Sequence, residues 1–417
     1  MQAHRRNMER MAEAVPKADA QALQHFLSQS EWDWEPVIAQ VATEADALLG
    51  GTADSCLILD ETTIPKKGTK SVGVARQWCG ALGKVDNCQL GVFAGLSRGR
   101  DVTLVDARLY LPKEWIRSPK RCRRAGIPEA DRVSKRKVDL ALEMVTSARR
   151  RGLRFDWIAA DGAYGQDPSL LRAFDEAGEI FVMDVHRDQP VYLEDPGLTV
   201  PAKTAAMGRP KSRRLAQTPK SKLCDWVQQQ PDTAWRRVFI RHSTRGPLEV
   251  EVLHRRVWVW NGKEASPRCW HAFATREIGS PSTMKYGLSN APEATSAQRL
   301  VQMQRQRYWI ERAFQDAKNT AGLDEYQARG WKAWHHHTAL VMMAMLFMLQ
   351  QKLEHRETNP LLSSADIKLL LARFLPQPEM AVEEVIGQME YRHKQRQRAI
   401  DSAYKRRLRS PPGNLTK

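Results

Sequence analysis

Trp157-Ile158-Ala159-Ala160-Asp161-Gly162 is the stretch that decides the fold class. Four apolar residues in a row, without alternation and closed by a turn dipeptide, are the pattern of a short strand buried on both faces. Strands of that kind sit in the parallel part of a sheet that carries helices on both sides. A helical pattern precedes it from Lys135 to Arg151, with Val138, Leu142 and Val145 inward and basic residues at the C-terminal end. A second helix, Pro168 to Ala177, follows, and Ile180-Phe181-Val182-Met183 then repeats the buried-strand pattern.

Working outward toward the N-terminus, Cys56-Leu57-Ile58-Leu59 is another continuous apolar run, read as a strand that ends at Asp60. Gln89 to Leu96 and Val102 to Leu111 are two more strands, joined by the polar hairpin connection Ser97-Arg98-Gly99-Arg100-Asp101. Three antiparallel strands, a helix, a parallel strand, a helix and another strand make one mixed α/β sheet flanked by helices. Residues 1–50 read as helical, with Ala22, Leu23, Phe26 and Leu27 on one face.

Toward the C-terminus the pattern changes. Residues 187–223 are rich in Pro, Lys and Arg and read as a loop or linker. Arg237 to Arg241, Leu248 to Trp260 and Cys269 to Thr275 are strand-like, so this stretch is a β-rich insertion. Helix resumes at Thr295, where Thr295 and Gln298 form a capping-box start, and is expected to run to about Asn319. A Met-rich apolar helix spans about Trp334 to Leu353, with Met342, Met343, Met345 and Met348 as core filling. His335-His336-His337 are read as polar helix-start residues, because adjacent histidines on a helix point in different directions. The tail from about Ser363 is helical and ends basic.

Composition limits the function classes. The 417 residues, 42% hydrophobic and 27% charged, have the balance of a globular chain rather than a disordered one. The longest apolar run, Ala339 to Leu349, has eleven residues, where a membrane span needs roughly 20, so no membrane is expected and the location reads as cytoplasmic. The six cysteines have no paired metal-like spacing and read as reduced thiols. The net charge of +17 is concentrated. Residues 201–223 hold seven Lys/Arg and no acid, and residues 391–410 hold eight against the single Asp401. Lys113, Arg117, Lys120, Arg121, Arg123 and Arg124 form a third cluster. One such cluster is an ordinary solvated face; three with this net charge point to a polyanion, and hence to nucleic acid.

The candidate chemistry lies in acids. Asp60 and Asp161 both follow buried-strand runs, and sheet ligands gather at strand ends, although a lone strand-end Asp is more often a turn former. Downstream, Arg307, Glu311, Phe314 and Lys318 fall within an arc of ~60° on one helix. Such a stripe is either an exposed ion-pair ladder or, with Ile310, Phe314 and Ala317 beside it, a partly buried functional face. Three convergent carboxylates with basic neighbours suit two-metal phosphoryl transfer, in which hard cations take carboxylate oxygens and basic side chains hold the phosphate. Glu61 and Asp184 are the alternative acids.

The chain resembles bacterial insertion-sequence transposases of the DDE superfamily, which have a ribonuclease-H-like core interrupted by a β-rich insertion. The resemblance rests on segments that occur in the family's order over about residues 15 to 405. Asp60-Glu61-Thr62-Thr63-Ile64-Pro65-Lys66-Lys67-Gly68 with Ser71-Val72-Gly73-Val74-Ala75-Arg76-Gln77 resembles the first-aspartate segment. Asp161-Gly162-Ala163-Tyr164-Gly165 resembles the second, and Tyr286-Gly287-Leu288-Ser289-Asn290-Ala291 the segment before the glutamate helix. The spacing Arg307, three residues, Glu311, six residues, Lys318 matches the subgroup's Tyr-Arg-Glu-Lys signature, with Gln304 where the tyrosine would stand.

That resemblance implies Asp60, Asp161 and Glu311 as the catalytic, metal-binding triad for two Mg²⁺ ions, with Mn²⁺ as substitute. It implies Arg307 and Lys318 on transposon-end phosphates, end cleavage followed by strand transfer into target double-stranded DNA, and a homodimer in the DNA complex. Trp258 and Trp260 become candidates for stacking on a flipped base, against the simpler reading of strand core. Arg209, Lys211, Arg213 and Arg214 are candidate DNA contacts in the linker, where Gly208-Arg209-Pro210-Lys211 resembles a minor-groove hook.

The expected organisation is a helical DNA-binding region over 1–52, short at its start, then the first part of the core over 53–186. The linker and insertion occupy 187–294, the second part of the core with the catalytic helix 295–353, and a basic helical region 354–417. A non-catalytic, transposase-derived DNA-binding protein or inhibitor is the alternative.

Overall fold

The computed structural model describes residues 8–200, 214–243, 246–325, 327–376 and 381–409, the side chains of 280–282 and 406–409 apart. The chain divides into two compact units, residues 25–370 and the two terminal stretches, 1–24 with 371–417.

Along the chain come α1 (Met8–Ala14), α2 (Ala20–Ser28) and α3 (Trp34–Leu49), the last capped by Asp33, whose side chain accepts from the Glu35 amide. Four strands follow: β1 (Ser55–Pro65), β2 (Ala75–Cys79), β3 (Lys84–Arg98) and β4 (Asp101–Leu109). The short helices α4 (Lys113–Ile116) and α5 (Pro119–Arg124) lead to α6 (Lys137–Arg150), β5 (Trp157–Ala160), α7 (Gly162–Gly165), α8 (Pro168–Glu176) and β6 (Phe181–Val185). The next stretch has β7 (Pro190–Val191), β8 (Ser221–Lys222), α9 (Leu223–Gln228), β9 (Arg236–Ser243), β10 (Gly246–Val259), β11 (Arg268–Glu277) and β12 (Ser280–Ser289). Helices α10 (Ala297–Gln306), α11 (Tyr308–Asp316), α12 (Trp331–Glu354), α13 (Ser364–Phe374) and α14 (Val382–Arg409) complete it.

β4 pairs with β3 and β3 with β1, both antiparallel, while β1–β5 and β5–β6 are parallel. That is the mixed order of a ribonuclease-H-like sheet. The unalternating runs explain it: Cys56 to Leu59 and Trp157 to Ala160 are at most 1% exposed, covered on both faces. Leu57, Ile58, Leu59 and Ile158 each contribute roughly 1.5–3 kcal/mol of burial.

Several expectations change. β1 does not end at Asp60, because its pairing with β3 continues to Pro65 opposite Cys88. Only on the β5 side does the ladder stop there, so Asp60 lies within a strand and at a strand end at once. The insertion strands continue the same sheet, since β12 pairs antiparallel with β6 to give ten strands. β2 and β12 were not legible in the sequence: one is five residues long, and the other, Ser-Pro-Ser-Thr-Met-Lys-Tyr-Gly-Leu-Ser, lacks alternation.

The glutamate helix is capped one residue later than expected, by Ser296, whose hydroxyl accepts from the Arg299 amide. It is also interrupted at Arg307 and finishes in a π-turn over Ala317–Ala321 before Gly322, which has φ +81°. The three histidines are not at the helix start. α12 begins at Trp331, His335 and His336 are buried, and His336 Nδ1 and Nε2 lie 2.9 Å from the Leu27 and Trp32 carbonyl oxygens.

All six cysteines are free thiols. Among the described residues no helix is long and apolar enough to cross a membrane. In the terminal unit Arg392 pairs with Glu13 at 2.5 Å.

Candidate active site

The site begins with strand register. Leu59 of β1 is the parallel partner of Ala160 of β5, so the next residue on each strand is an aspartate. Asp60 is buried and its Oδ1 accepts from the Glu61 amide at 2.7 Å. Burial, and then the neighbouring Asp161 carboxylate, push the Asp60 carboxyl up to about 7. Asp161 is the N-cap of α7 and accepts from the Ala163 amide at 3.0 Å, so the turn role and a site role coexist in one residue.

Glu311 comes from the first turn of α11 and Lys318 from the π-turn beyond it. Asp60, Asp161, Glu311 and Lys318 all line one cleft of about 600 Å³, with Trp78, Tyr308 and Arg312 also in its walls. Burial lowers the Lys318 ammonium below the ordinary lysine range.

Arg307, at the interruption between α10 and α11, is the hub. Its guanidinium lies 2.9 Å from Glu311 Oε1, 3.3 Å from Asp184 Oδ2 and 3.6 Å from Asp60 Oδ2. Asp184, raised by burial, also accepts from Gln304 Nε2 at 2.7 Å. Gln304 is buried and its own Oε1 has no hydrogen-bond partner among the described residues. Of the two alternative acids, Glu61 is engaged by Lys137 and by the Tyr164 hydroxyl, which donates at 3.1 Å. Asp184 belongs to the cluster as the anchor of Arg307. Its place at the end of β6 was the only sequence signal for it.

On the far side of Arg307 a second groove of about 680 Å³ is lined by Gly162, Asp184, Arg187, Lys285 and Tyr286. β12 supplies Lys285 and Tyr286, so the insertion reaches the site through its pairing with β6.

The donor set is hard carboxylate oxygen, which suits Mg²⁺ or Mn²⁺. Two like charges side by side, one of them pushed toward neutrality, form a pair that a divalent cation would relieve. Among the described residues, however, no group of three or more His, Cys, Asp or Glu side chains is placed to hold a metal ion. Arg307 engages the Glu311 carboxylate instead.

The remaining candidates fall elsewhere. Trp260 is buried and its indole N–H donates to the Glu264 carbonyl at 3.1 Å; Trp258 is half-buried, its backbone bridged to Tyr192. Arg214 donates to the Ala265 carbonyl. Arg209, Lys211 and Arg213 lie outside the described residues. In the third basic cluster Arg121 is used internally, donating to the Thr69 and Val74 carbonyls and stacking on Trp115.

The model of a family described as DDE superfamily endonuclease matches residues 1–247, a span that includes Asp60 and Asp161 and ends before Glu311. The chain is 23% identical over 325 residues to a probable transposase for insertion sequence element IS701 from Microchaete diplosiphon, covering 78% of this chain and 72% of the relative. Among solved structures, the NurA nuclease from Sulfolobus solfataricus aligns over 77% of this chain and 93% of its own, with 8% identity. Its TM-score of 0.27 is too low to carry an argument.

Proposed function

From a chain that belongs to the DDE superfamily endonucleases, we propose an insertion-sequence transposase that cuts double-stranded DNA at transposon ends and joins the freed 3′ end to target DNA. One observation carries this reading: Asp60 and Asp161 stand side by side through strand register and share one cleft with Glu311 and Lys318.

In this reading Asp60 and Asp161 would hold Mg²⁺, or Mn²⁺ in its place, and Glu311, now paired with Arg307, would be the third carboxylate. Bound there, divalent cations would activate the attacking oxygen and stabilise the leaving one. The protein's own groups do the positioning. Lys318 places a positive charge on the cleft wall for a phosphate oxygen. Arg307, released from Glu311 and Asp60 but retained by Asp184, offers its fork to a second phosphate oxygen. A homodimer would bring two such sites to paired DNA ends.

The test is nicking of supercoiled plasmid in Mg²⁺ or Mn²⁺, followed by strand-transfer assays. Asp60→Ala, Asp161→Ala and Glu311→Ala should each abolish nicking while DNA binding survives. A wild-type protein that binds DNA and nicks none of it would leave the non-catalytic DNA-binding reading in place.

A further inference from the structure

Thirteen tryptophans are present, all among the described residues, and twelve are at least partly buried. Trp78 is the exception, 61% exposed, and it lines the carboxylate cleft. Its strand alternates: Ala75 and Cys79 point into the core, while Arg76 and Trp78 point to solvent. Opposite Trp78 on β3 stands Val85, 52% exposed, and Leu82 in the connecting turn is 46% exposed. The β2–β3 hairpin therefore presents an apolar, aromatic tip at a cleft whose walls also carry Asp60, Asp161, Glu311, Arg312 and Lys318. Among the described residues nothing covers most of this indole, although leaving so large an apolar surface in water is unfavourable.

The chemistry that fits is a nucleobase beside its phosphate. A base offers a flat π-face to the indole, and its backbone phosphate meets Lys318 and Arg312 on the same cleft. A base in intact duplex has both faces stacked on its neighbours, so only an unpaired one can lie on Trp78. We infer that Trp78 is the stacking platform for an unpaired nucleotide next to the scissile phosphate, a role the resemblance places in the insertion. This rests on the nuclease reading of the cleft and specifies the substrate it takes: DNA locally opened at the cut. Tyr308, 42% exposed, and the buried Phe314 are the other aromatic residues lining that cleft.

The experiment is fluorescence anisotropy in EDTA, with a fluorescein-labelled oligothymidylate and, separately, a labelled duplex. Trp78→Ala and Trp78→Leu should weaken single-strand binding by about 5- to 100-fold, while Trp78→Phe stays within about threefold of wild type, because a phenyl ring retains a π-face. Duplex affinity should move by less than about twofold, its binding being carried by phosphate contacts. Trp78→Leu keeps an apolar side chain without the ring, so a loss there reports the π-face. Wild-type affinity in Trp78→Leu, equal losses on both DNAs, or no single-strand binding by wild type would overturn the inference. Plasmid nicking by wild type tests the nuclease reading separately. A protein that nicks but ignores the Trp78 variants loses only the platform, and one that never nicks but responds to them loses only the nuclease reading.

Discussion

Arg307 Nη1 lies 3.6 Å from Asp60 Oδ2, and this one arginine also reaches Asp184 and Glu311. It supplies the cluster's internal positive charge from a side chain that is 16% exposed. Replacing it with Gln leaves the carboxylates to repel one another, which should lower stability by about 3 kcal/mol. Arg307→Lys should not restore nicking, because a point charge cannot span three carboxylates as a planar fork does. Urea unfolding and plasmid nicking of both variants check this.

Gly165 closes the turn after Asp161, and a Cβ there would stand 2.0 Å from the Asp184 backbone oxygen and 3.0 Å from Met183 Cβ. Gly165→Ala must push β6 away or distort α7, at a cost of about 1–3 kcal/mol. Because β6 carries Asp184, nicking should fall along with the urea midpoint.

Acid should loosen the fold through buried histidines. Burial lowers His335 from 6.5 to about 3, among the rings of Trp34, Trp331 and Trp334, and lowers His337 to about 4. The unfolded chain takes up these protons below its ordinary value and the folded chain does not. The stability these histidines contribute is therefore complete above about pH 6.5 and falls as pH drops toward the folded values, by about 1.4 kcal/mol per pH unit for each, while Asp60, raised to about 7, opposes it with a slope of the other sign. Between about pH 7 and about pH 5 the stability from urea unfolding should fall less steeply with acid in His335→Gln than in the wild type, by about 1.4 kcal/mol per pH unit.

Lys318 should act on DNA through charge alone. Lys318→Ala should weaken duplex binding without regard to sequence and reduce the slope of log affinity against log salt by about one. Titrations at several salt concentrations give that slope. An unchanged slope would place Lys318 off the phosphates.

Much of the core was legible because its signals are local. Unbroken apolar runs at Cys56–Leu59 and Trp157–Ala160 required strands buried on both faces, and the structure has them in the parallel part of the sheet. The spacing of Arg307, Glu311 and Lys318 brought three side chains to one neighbourhood even though the helix is interrupted and ends in a π-turn. β12 escaped because a strand stabilised by pairing on both edges, to β6 and β11, needs no alternation of its own. Trp78 escaped because nothing in Arg76-Gln77-Trp78-Cys79 distinguishes an exposed indole from twelve that are partly or wholly buried.

The sequence by itself determined the α/β class, the basic character, and which acids follow buried strands. These depend on neighbours a few positions apart, and periodicity records them. Only the tertiary structure decided that Leu59 registers with Ala160, that Arg307 is shared by Asp60, Asp184 and Glu311, and that the insertion joins the main sheet at β6. Register and ion-pair partners join residues far apart in the chain, Asp60 and Arg307 being 247 positions apart, and are selected by the packing of the whole core. A local pattern holds no record of that selection.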